Sequence, residues 1–164
     1  MSGGNPQGVS QGQRDDGGIS SAAHLDGSRF ALSRFNFGDN YFLPSTDMAT
    51  GSITSSVDLG GNPMLELKPD ARVVLKKVEI NGEDVLLYGG DTNNRQIVIY
   101  AYDFQTGEFL GSKFLGFSNA YELAGFSTTM DEGLVIAGTT YAAGRFARIS
   151  LFKLSQKELI DLIN

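Results

Sequence analysis

The stretch YDFQTGEFLGSKFLG, from Tyr102 to Gly116, repeats much of a stretch that lies 56 residues earlier in the chain. Residues 46–60 read TDMATGSITSSVDLG, and six of the fifteen aligned positions carry the same amino acid. The identical pairs are Asp47/Asp103, Thr50/Thr106, Gly51/Gly107, Ser56/Ser112, Leu59/Leu115 and Gly60/Gly116. Self-similarity at a spacing of this length indicates that the chain is built from copies of one structural unit.

Turn signals divide the chain into three such units, residues 19–60, 61–116 and 117–164, behind an N-terminal segment 1–18. In each unit, apolar stretches of strand length alternate with short turn sequences, which predicts four strands per unit. The first-hairpin turns are Asp26-Gly27, Asn81-Gly82 and Asp131-Glu132-Gly133, and the third-hairpin turns are residues 47–51, 103–107 and 154–158. Segment 1–18 is rich in Gly, Gln, Asn and Asp, so we expect a flexible tail.

Four short antiparallel strands per unit, repeated about every 50 residues, are typical of β-propeller blades. The sequence therefore predicts an all-β chain of three four-stranded antiparallel propeller blades. An ordinary β-sandwich or barrel with recurrent turns is the alternative interpretation of the same pattern.

The last ten residues, SQKELIDLIN (155–164), fit two different structures. Ser155 and Glu158 form a capping-box pattern, and the apolar residues that follow have helical spacing. The place of this segment in the repeat instead predicts the fourth strand of the last blade. We predict the strand, because the repeat extends over most of the chain whereas the helical pattern is short.

The stretch VLLYGGDTNNRQIVIYAYDFQTGEF (85–109) resembles a kelch-type propeller blade, in which a Gly pair ends one strand and a Tyr-Asp-x-x-Thr-Gly turn ends a later one. Gly89-Gly90, Tyr102-Asp103 and Thr106-Gly107 match this pattern, but the kelch Trp is missing and Phe109 stands nearest to its place. The stretch DEGLVIAGTT (131–140) is similar to divergent repeats of bacterial cell-envelope propellers. These resemblances imply a propeller fold and an extracellular, periplasmic or cell-surface location, and they imply little about function.

Three blades do not close a ring, because propellers have at least about four blades. A blade at the end of an open stack would leave an apolar sheet face in water, which soluble monomers rarely do over more than a few hundred Å2. Two copies could form a six-bladed ring, the chain could be a fragment of a larger propeller, or it could dock on a different protein. The expected partner is therefore another copy of the chain or a second, propeller-completing chain.

Composition excludes several classes of function. The net charge is −6 without a basic stripe, which argues against nucleic-acid binding, and no apolar run is long enough for a membrane span. Cys is absent and His24 is the single His, so neither a thiolate nucleophile nor a His-rich metal site is expected. The carboxylates that flank inner strands are Glu66, Asp70, Glu122 and Asp131, and all four are interpreted as turn or solvent-facing residues. We predict no cofactor, no metal site and no enzymatic activity.

Three loops are expected to share one face of the molecule, namely residues 36–40, 91–95 and 141–145. Their candidate binding residues are Asp39, Asn40, Asp91, Asn93, Asn94, Arg95, Tyr141 and Arg145. Planar polar groups beside aromatic rings suit a glycan or a protein surface, although plain solvated hairpin loops have the same composition. The sequence thus predicts a non-enzymatic binding or assembly module that presents loops for protein binding. A lectin-like oligomeric propeller that binds glycans, and the non-catalytic part of a propeller hydrolase or lyase, are the alternatives.

Overall fold

The structure is a computed structural model that describes residues 9–11, 17–48, 53–55, 59–142 and 146–164. The elements are β1 (Val9–Gln11), β2 (Gly17–Asp26), β3 (Arg29–Asn36), β4 (Asp39–Asp47), β5 (Ile53–Ser55), β6 (Asn62–Pro63), β7 (Val74–Ile80), β8 (Glu83–Asp91), β9 (Ile97–Asp103), β10 (Phe109–Leu115), β11 (Ala120–Thr128), β12 (Leu134–Ala142), β13 (Phe146–Leu154) and α1 (Gln156–Ile163). The all-β class predicted from the sequence is confirmed.

Three antiparallel sheets follow the chain in order. The first sheet has the strand order β2-β3-β4-β6, the second sheet β10-β9-β8-β7, and the third sheet β11-β12-β13. The short strands β1 and β5 form a separate parallel pair. The second and third sheets are meanders in which successive strands are neighbours, because short turns connect antiparallel strands directly. In the first sheet, β4 pairs with β6, and β5 lies between them in the chain.

The second sheet is the central layer of the molecule and is buried on both faces. In β8, Val85 and Leu87 belong to the apolar core shared with the third sheet, while Leu86 and Tyr88 belong to the core shared with the first sheet. Side chains in a strand alternate between the two faces, so a strand packed on both sides needs a continuous apolar run. The run VLLY (85–88) satisfies this requirement and fixes the stacking order of the three sheets.

The Gly pair at the end of this run lets the neighbouring layers approach the second sheet closely. A Cβ atom on Gly89 would lie 2.8 Å from Phe126 Cε1, and one on Gly90 would lie 2.9 Å from Leu67 Cδ2. Both distances are shorter than real Cβ contacts. Gly89 therefore makes room for Phe126 and Leu123 on one face, and Gly90 makes room for Leu67 on the other. The pair is therefore a packing requirement as well as a turn signal.

The assignment of the fourth strand in the first unit was wrong. Four strands in the unit 19–60 with the third-hairpin turn at 47–51 place the fourth strand in the rest of that unit, but β5 covers only Ile53–Ser55 and pairs with β1. The place beside β4 is taken by β6, where Pro63 pairs with Tyr41. Gly60 and Gly61 both have positive φ, and this left-handed backbone turns the chain back toward β4. β1 lies inside the segment that the sequence assigned to the N-terminal tail.

The prediction of a strand at the C-terminus was also wrong, because α1 forms there and the third sheet keeps three strands instead of four. Ser155 Oγ accepts a hydrogen bond from Glu158 N at 3.3 Å, and Glu158 Oε2 accepts one from Ser155 N at 2.9 Å. This capping box satisfies two backbone N–H groups that have no partner within the helix. Leu159 and Leu162 then bury the apolar side of α1 in the core between the second and third sheets. Among the described residues, no helix has the length and hydropathy needed to cross a bilayer.

The close packing at Gly89 yields a test. We expect Gly89→Ala to lower the free energy of unfolding by about 1–3 kcal/mol, because its methyl group overlaps Phe126 and Leu123. The matched control is Gly125→Ala in β11, where an added Cβ meets no atom within 4 Å. Urea denaturation of both variants should show a loss for Gly89→Ala alone, and equal midpoints would contradict the packing argument.

Candidate functional site

The strand ends on one side of the molecule carry a group of connected loops, which we call the loop face. It comprises the β3–β4 turn (residues 37–38), the segment 64–70, the β8–β9 connection (92–96) and the linker 116–119. The hydrogen bonds that join these loops are Asp70 N to Gly38 O (3.2 Å), Asn93 N to Glu66 O (2.9 Å), Asn93 Nδ2 to Leu65 O (3.2 Å) and Gln96 Nε2 to Gly116 O (2.7 Å). The loops therefore form one connected surface across the three units.

A buried carboxylate lies beneath the loop face where the second and third sheets meet. Asp91 is buried at the end of β8, and its Oδ1 accepts a hydrogen bond from Leu123 N at 2.6 Å. Lys68 Nζ lies 3.4 Å from Asp91 Oδ2 and 3.3 Å from Glu122 Oε1. Tyr141 donates its hydroxyl hydrogen to Glu122 Oε2 at 3.1 Å. This cluster links the segment after β6 to both sheets, and the role of Asp91 in it is to hold the layers together.

The electrostatics of the cluster favour a structural role. Burial raises the pKa of Asp91, although the Leu123 N–H and the Lys68 ammonium act in the opposite direction. Burial lowers the pKa of Lys68, but Asp91 and Glu122 together outweigh it, so the net pKa of Lys68 is raised. The lysine therefore stays charged between the two carboxylates.

A small pocket opens on the loop face beside the β3–β4 turn. It has a volume of about 170 Å3, and three residues predicted as binding residues line it, namely Asp39, Asn40 and Asn93. Tyr41 and Leu65 contribute aromatic and aliphatic surface to the same pocket. The structure thus brings together residues from the first two loops that the sequence singled out.

The other predicted binding residues are placed differently. Asn94 and Arg95 are exposed on the β8–β9 connection and are not among the residues that line the pocket. The Tyr141 hydroxyl donates a hydrogen bond to Glu122, and both residues belong to strands of the third sheet. Asp91 is buried beneath the loops. Arg145 lies outside the described residues.

Three exposed apolar side chains on the loop face were not among the predicted site residues. Phe37, Leu65 and Phe117 have 74%, 82% and 88% of their surface exposed. Phe37 also has a positive φ of 49°, followed by Gly38 at 87°. The two-residue turn between β7 and β8 also has positive φ at both positions, and it uses Asn81 and Gly82, which are the residues that such turns prefer. The sequence signal was available, because NFGD places a bulky aromatic where Asn or Gly is expected before a turn Gly.

The remaining ionisable groups show no reactive arrangement in the described parts of the chain. Glu66 accepts a hydrogen bond from the Tyr100 hydroxyl at 2.5 Å, and His24 Nε2 lies 3.1 Å from Gly27 O. Asp131 pairs with Lys153 and bonds Thr129, which lowers the pKa of Asp131 to about 2. No group of three His, Asp or Glu side chains among the described residues is placed to hold a metal ion.

Comparisons with protein-family models, with curated proteins and with solved structures give no match for this chain.

Substitutions at Asp91 test its structural role. We expect Asp91→Ala to lower the free energy of unfolding by about 1–3 kcal/mol, because the buried Leu123 N–H loses its acceptor. Asp91→Asn keeps an acceptor oxygen and removes the buried charge. Because the pKa of Asp91 is raised in the folded state, wild type loses stability relative to Asp91→Asn as pH rises above the ordinary Asp range.

Chemical denaturation at several pH values measures both effects. Asp131→Asn is the control, since Asp131 is exposed and its lowered pKa gives the opposite pH dependence, with wild type losing stability relative to the variant as pH falls toward 2. An Asp91→Asn variant that is as unstable as Asp91→Ala at every pH would contradict this role for Asp91.

Proposed function

We propose that the three stacked sheets are blades of a partial β-propeller and that the chain is a non-enzymatic binding module whose loop face docks on a partner protein. The observation that carries the docking proposal is the set of exposed apolar side chains at Phe37, Leu65 and Phe117 on one connected surface. No enzymatic step is needed to explain the arrangement.

The stacking of the sheets supports the propeller part of the proposal. Consecutive units pack face to face in chain order, and the second sheet buries both of its faces against its neighbours. Packing of this kind is what successive blades of a propeller require. The close approach at Gly89 and Gly90 gives a physical reason for the Gly pair on which the kelch-type resemblance rests.

Phe37 supports the docking part, because the isolated chain gains little from this side chain. A left-handed backbone at a residue other than Gly costs about 1–2 kcal/mol, and Asn tolerates it better. An exposed aromatic ring also recovers little of the free energy that burial would give. Asn81 serves the same turn type in the second unit, so the fold does not require a Phe. An aromatic ring becomes favourable when a partner covers it, as in the centre of a protein interface.

The polar surroundings of Phe37 fit the anatomy of such an interface. Asp39, Asn93 and Asn94 are exposed on the same loop face around the apolar side chains. Protein interfaces commonly have apolar anchors at the centre and polar, solvent-accessible residues at the rim. The expected partner surface therefore offers apolar pockets flanked by hydrogen-bonding groups.

The test uses Phe37→Asn and a random dodecapeptide phage library selected on the immobilised wild-type chain. We expect the variant to raise Tm by about 2–4 °C, because strain at the turn is relieved, and to weaken binding of the selected peptides at least about tenfold. Binding is measured by fluorescence anisotropy with the synthetic peptides.

The matched control is Met130→Asn, which removes a fully exposed apolar side chain from the β11–β12 turn at the opposite end of the third sheet. This control should leave peptide binding unchanged. Selected peptides that bind wild type and Phe37→Asn equally well would refute docking through Phe37.

A lectin-like function is the second candidate, and the pocket at Asp39, Asn40 and Asn93 favours it. Its volume of about 170 Å3 is below the range of about 300–1,000 Å3 that is typical for drug-sized ligands, so it would hold only a small group such as one sugar ring. A glycan microarray tests this candidate, with Asp39→Ala as the matched variant. Signals that are lost in Asp39→Ala but kept in Phe37→Asn would favour the glycan.

A further inference from the structure

The third sheet ends at an open edge strand, β13. The first and second sheets have four strands each, and the third sheet has three. In the described parts of the chain, no strand lies beside β13, because the chain continues into α1. The apolar side chains of α1, Leu159 and Leu162, are buried in the core between the second and third sheets. None of the backbone hydrogen bonds that the described residues form outside the regular elements involves β13. Backbone groups that point away from β12 are therefore available to a further strand.

This edge lacks the features that usually keep an edge strand from pairing. Protected edges are short, are interrupted by Pro or a bulge, or carry an outward Lys. β13 has nine residues without a Pro, and it pairs with β12 at nine consecutive positions without a bulge. Its only Lys, Lys153, forms an ion pair with Asp131 of the β11–β12 turn, and that turn does not border the open edge. The edge is therefore long, regular and poorly protected.

The side chains of β13 are more apolar than those of a strand that faces water. Phe146, Ile149 and Leu151 have 68%, 87% and 68% of their surface exposed. Leu154 points into the core, so Phe146 lies on the inner side of the sheet, while Ile149 and Leu151 point outward. A strand with a solvated face carries polar residues on that face. Exposed apolar side chains on both sides of an open edge are what a strand with a neighbour on that edge would have.

We propose that β13 pairs with β13 of a second copy of the chain. The two strands run antiparallel and are related by a two-fold axis, so the third sheets of the two copies form one continuous six-stranded sheet. Each copy then supplies the fourth strand that the third sheet of the other copy lacks. The contact goes beyond the proposed function, because it depends on the topology of the third sheet and neither on the propeller interpretation nor on docking at the loop face.

The length of β13 defines the register of this pairing. All nine residues have a partner only when Ser150 of one copy lies opposite Ser150 of the other. This register places Ile149 opposite Leu151 of the second copy, and Leu151 opposite its Ile149. Apolar side chains that stand directly opposite each other stabilise an antiparallel pair. The outer face of the joined sheet thus has two apolar cross-strand pairs at its centre.

The charged residues of β13 are compatible with the same register. Like charges directly opposite each other would destabilise the pair. Arg148 instead stands opposite Phe152 of the second copy, and Lys153 stands opposite its Ala147. A guanidinium group beside an aromatic ring makes a favourable contact. The strand is therefore complementary to itself on both faces.

The size of the contact predicts a reversible dimer. A nine-residue strand is about 30 Å long and a sheet is about 10 Å thick, so one edge offers roughly 300 Å2. Two edges together bury about 600 Å2, which is below the range of about 1,200–2,000 Å2 for stable complexes. Backbone hydrogen bonds supply much of the affinity when a strand is added to a sheet edge. The dimer should therefore form at high concentration and dissociate on dilution.

Disulfide trapping tests the register, because the chain has no Cys of its own. Paired residues of antiparallel strands have Cα atoms about 4.5–5.5 Å apart, a separation that a disulfide can span. Under mild oxidation, Ser150→Cys should form a covalent dimer with itself. Ala147→Cys should not, but it should form a mixed disulfide with a Lys153→Cys chain that carries a tag. A Ser150→Cys chain that stays unlinked overturns the proposal, and so does a main product that joins two Ala147→Cys chains.

Light scattering over a concentration series up to about 500 µM gives the second measurement. The mass of wild type should rise from 17.6 kDa toward twice that value. Ile149→Lys should raise the dissociation constant about tenfold, because both apolar cross-strand pairs are lost. The matched control is Met130→Lys, a fully exposed position in the β11–β12 turn, and it should dimerise like wild type. A wild type that is monomeric at every concentration, or an Ile149→Lys variant that dimerises equally well, overturns the proposal.

This proposal and the docking proposal fail separately. Loss of peptide binding in Phe37→Asn with unchanged dimerisation concerns the loop face alone. A monomeric wild type that still binds the selected peptides removes the β13 contact and leaves the docking proposal standing.

Discussion

The burial of the second sheet on both faces is the constraint on which the rest of the structure depends. A strand with two buried faces cannot alternate polar and apolar residues, and VLLY (85–88) does not. The next two residues of β8, Gly89 and Gly90, lack the Cβ atoms that would collide with Phe126 on one side and with Leu67 on the other. The third sheet packs on this layer by one face. The first sheet packs on it by one face as well, and Leu32, Arg34 and Leu43 on its other side are also buried.

The polar connections at the loop face follow from the same packing. Once β8 is buried on both sides, Asp91 at its end is buried with it and needs partners. Leu123 N–H and Lys68 supply them, and Lys68 in turn pairs with Glu122 of the third sheet. The cluster fixes the ends of the second and third sheets relative to each other. Loops attached to ends that are fixed in this way can present exposed side chains at low entropic cost to a partner.

Most of the fold could be predicted from local signals, and the misses have a common cause. The Asn81-Gly82 turn has the two positive φ angles that its sequence predicts, and Asp103 Oδ1 accepts hydrogen bonds from Gln105 N and Thr106 N as expected for a turn. At the C-terminus, the position in the repeat predicted a strand and the local sequence indicated a helix. The Ser155/Glu158 capping box forms, and the segment is helical. Asp39, Asn40 and Asn93 could be grouped from topology alone. The sequence placed Asp91 among the binding residues, whereas the structure buries it. Its burial depends on the neighbouring third sheet, and a single sequence does not reveal which sheet packs there.

Docking at the loop face depends on the same fixed strand ends. Phe37, Leu65 and Phe117 belong to three different loops, and hydrogen bonds between the loops join them into one surface. A partner that contacts all three side chains would therefore order few further residues when it binds. Little of the free energy gained at the apolar side chains is then lost as conformational entropy. A small number of exposed apolar side chains can support specific docking on a surface that is held in this way.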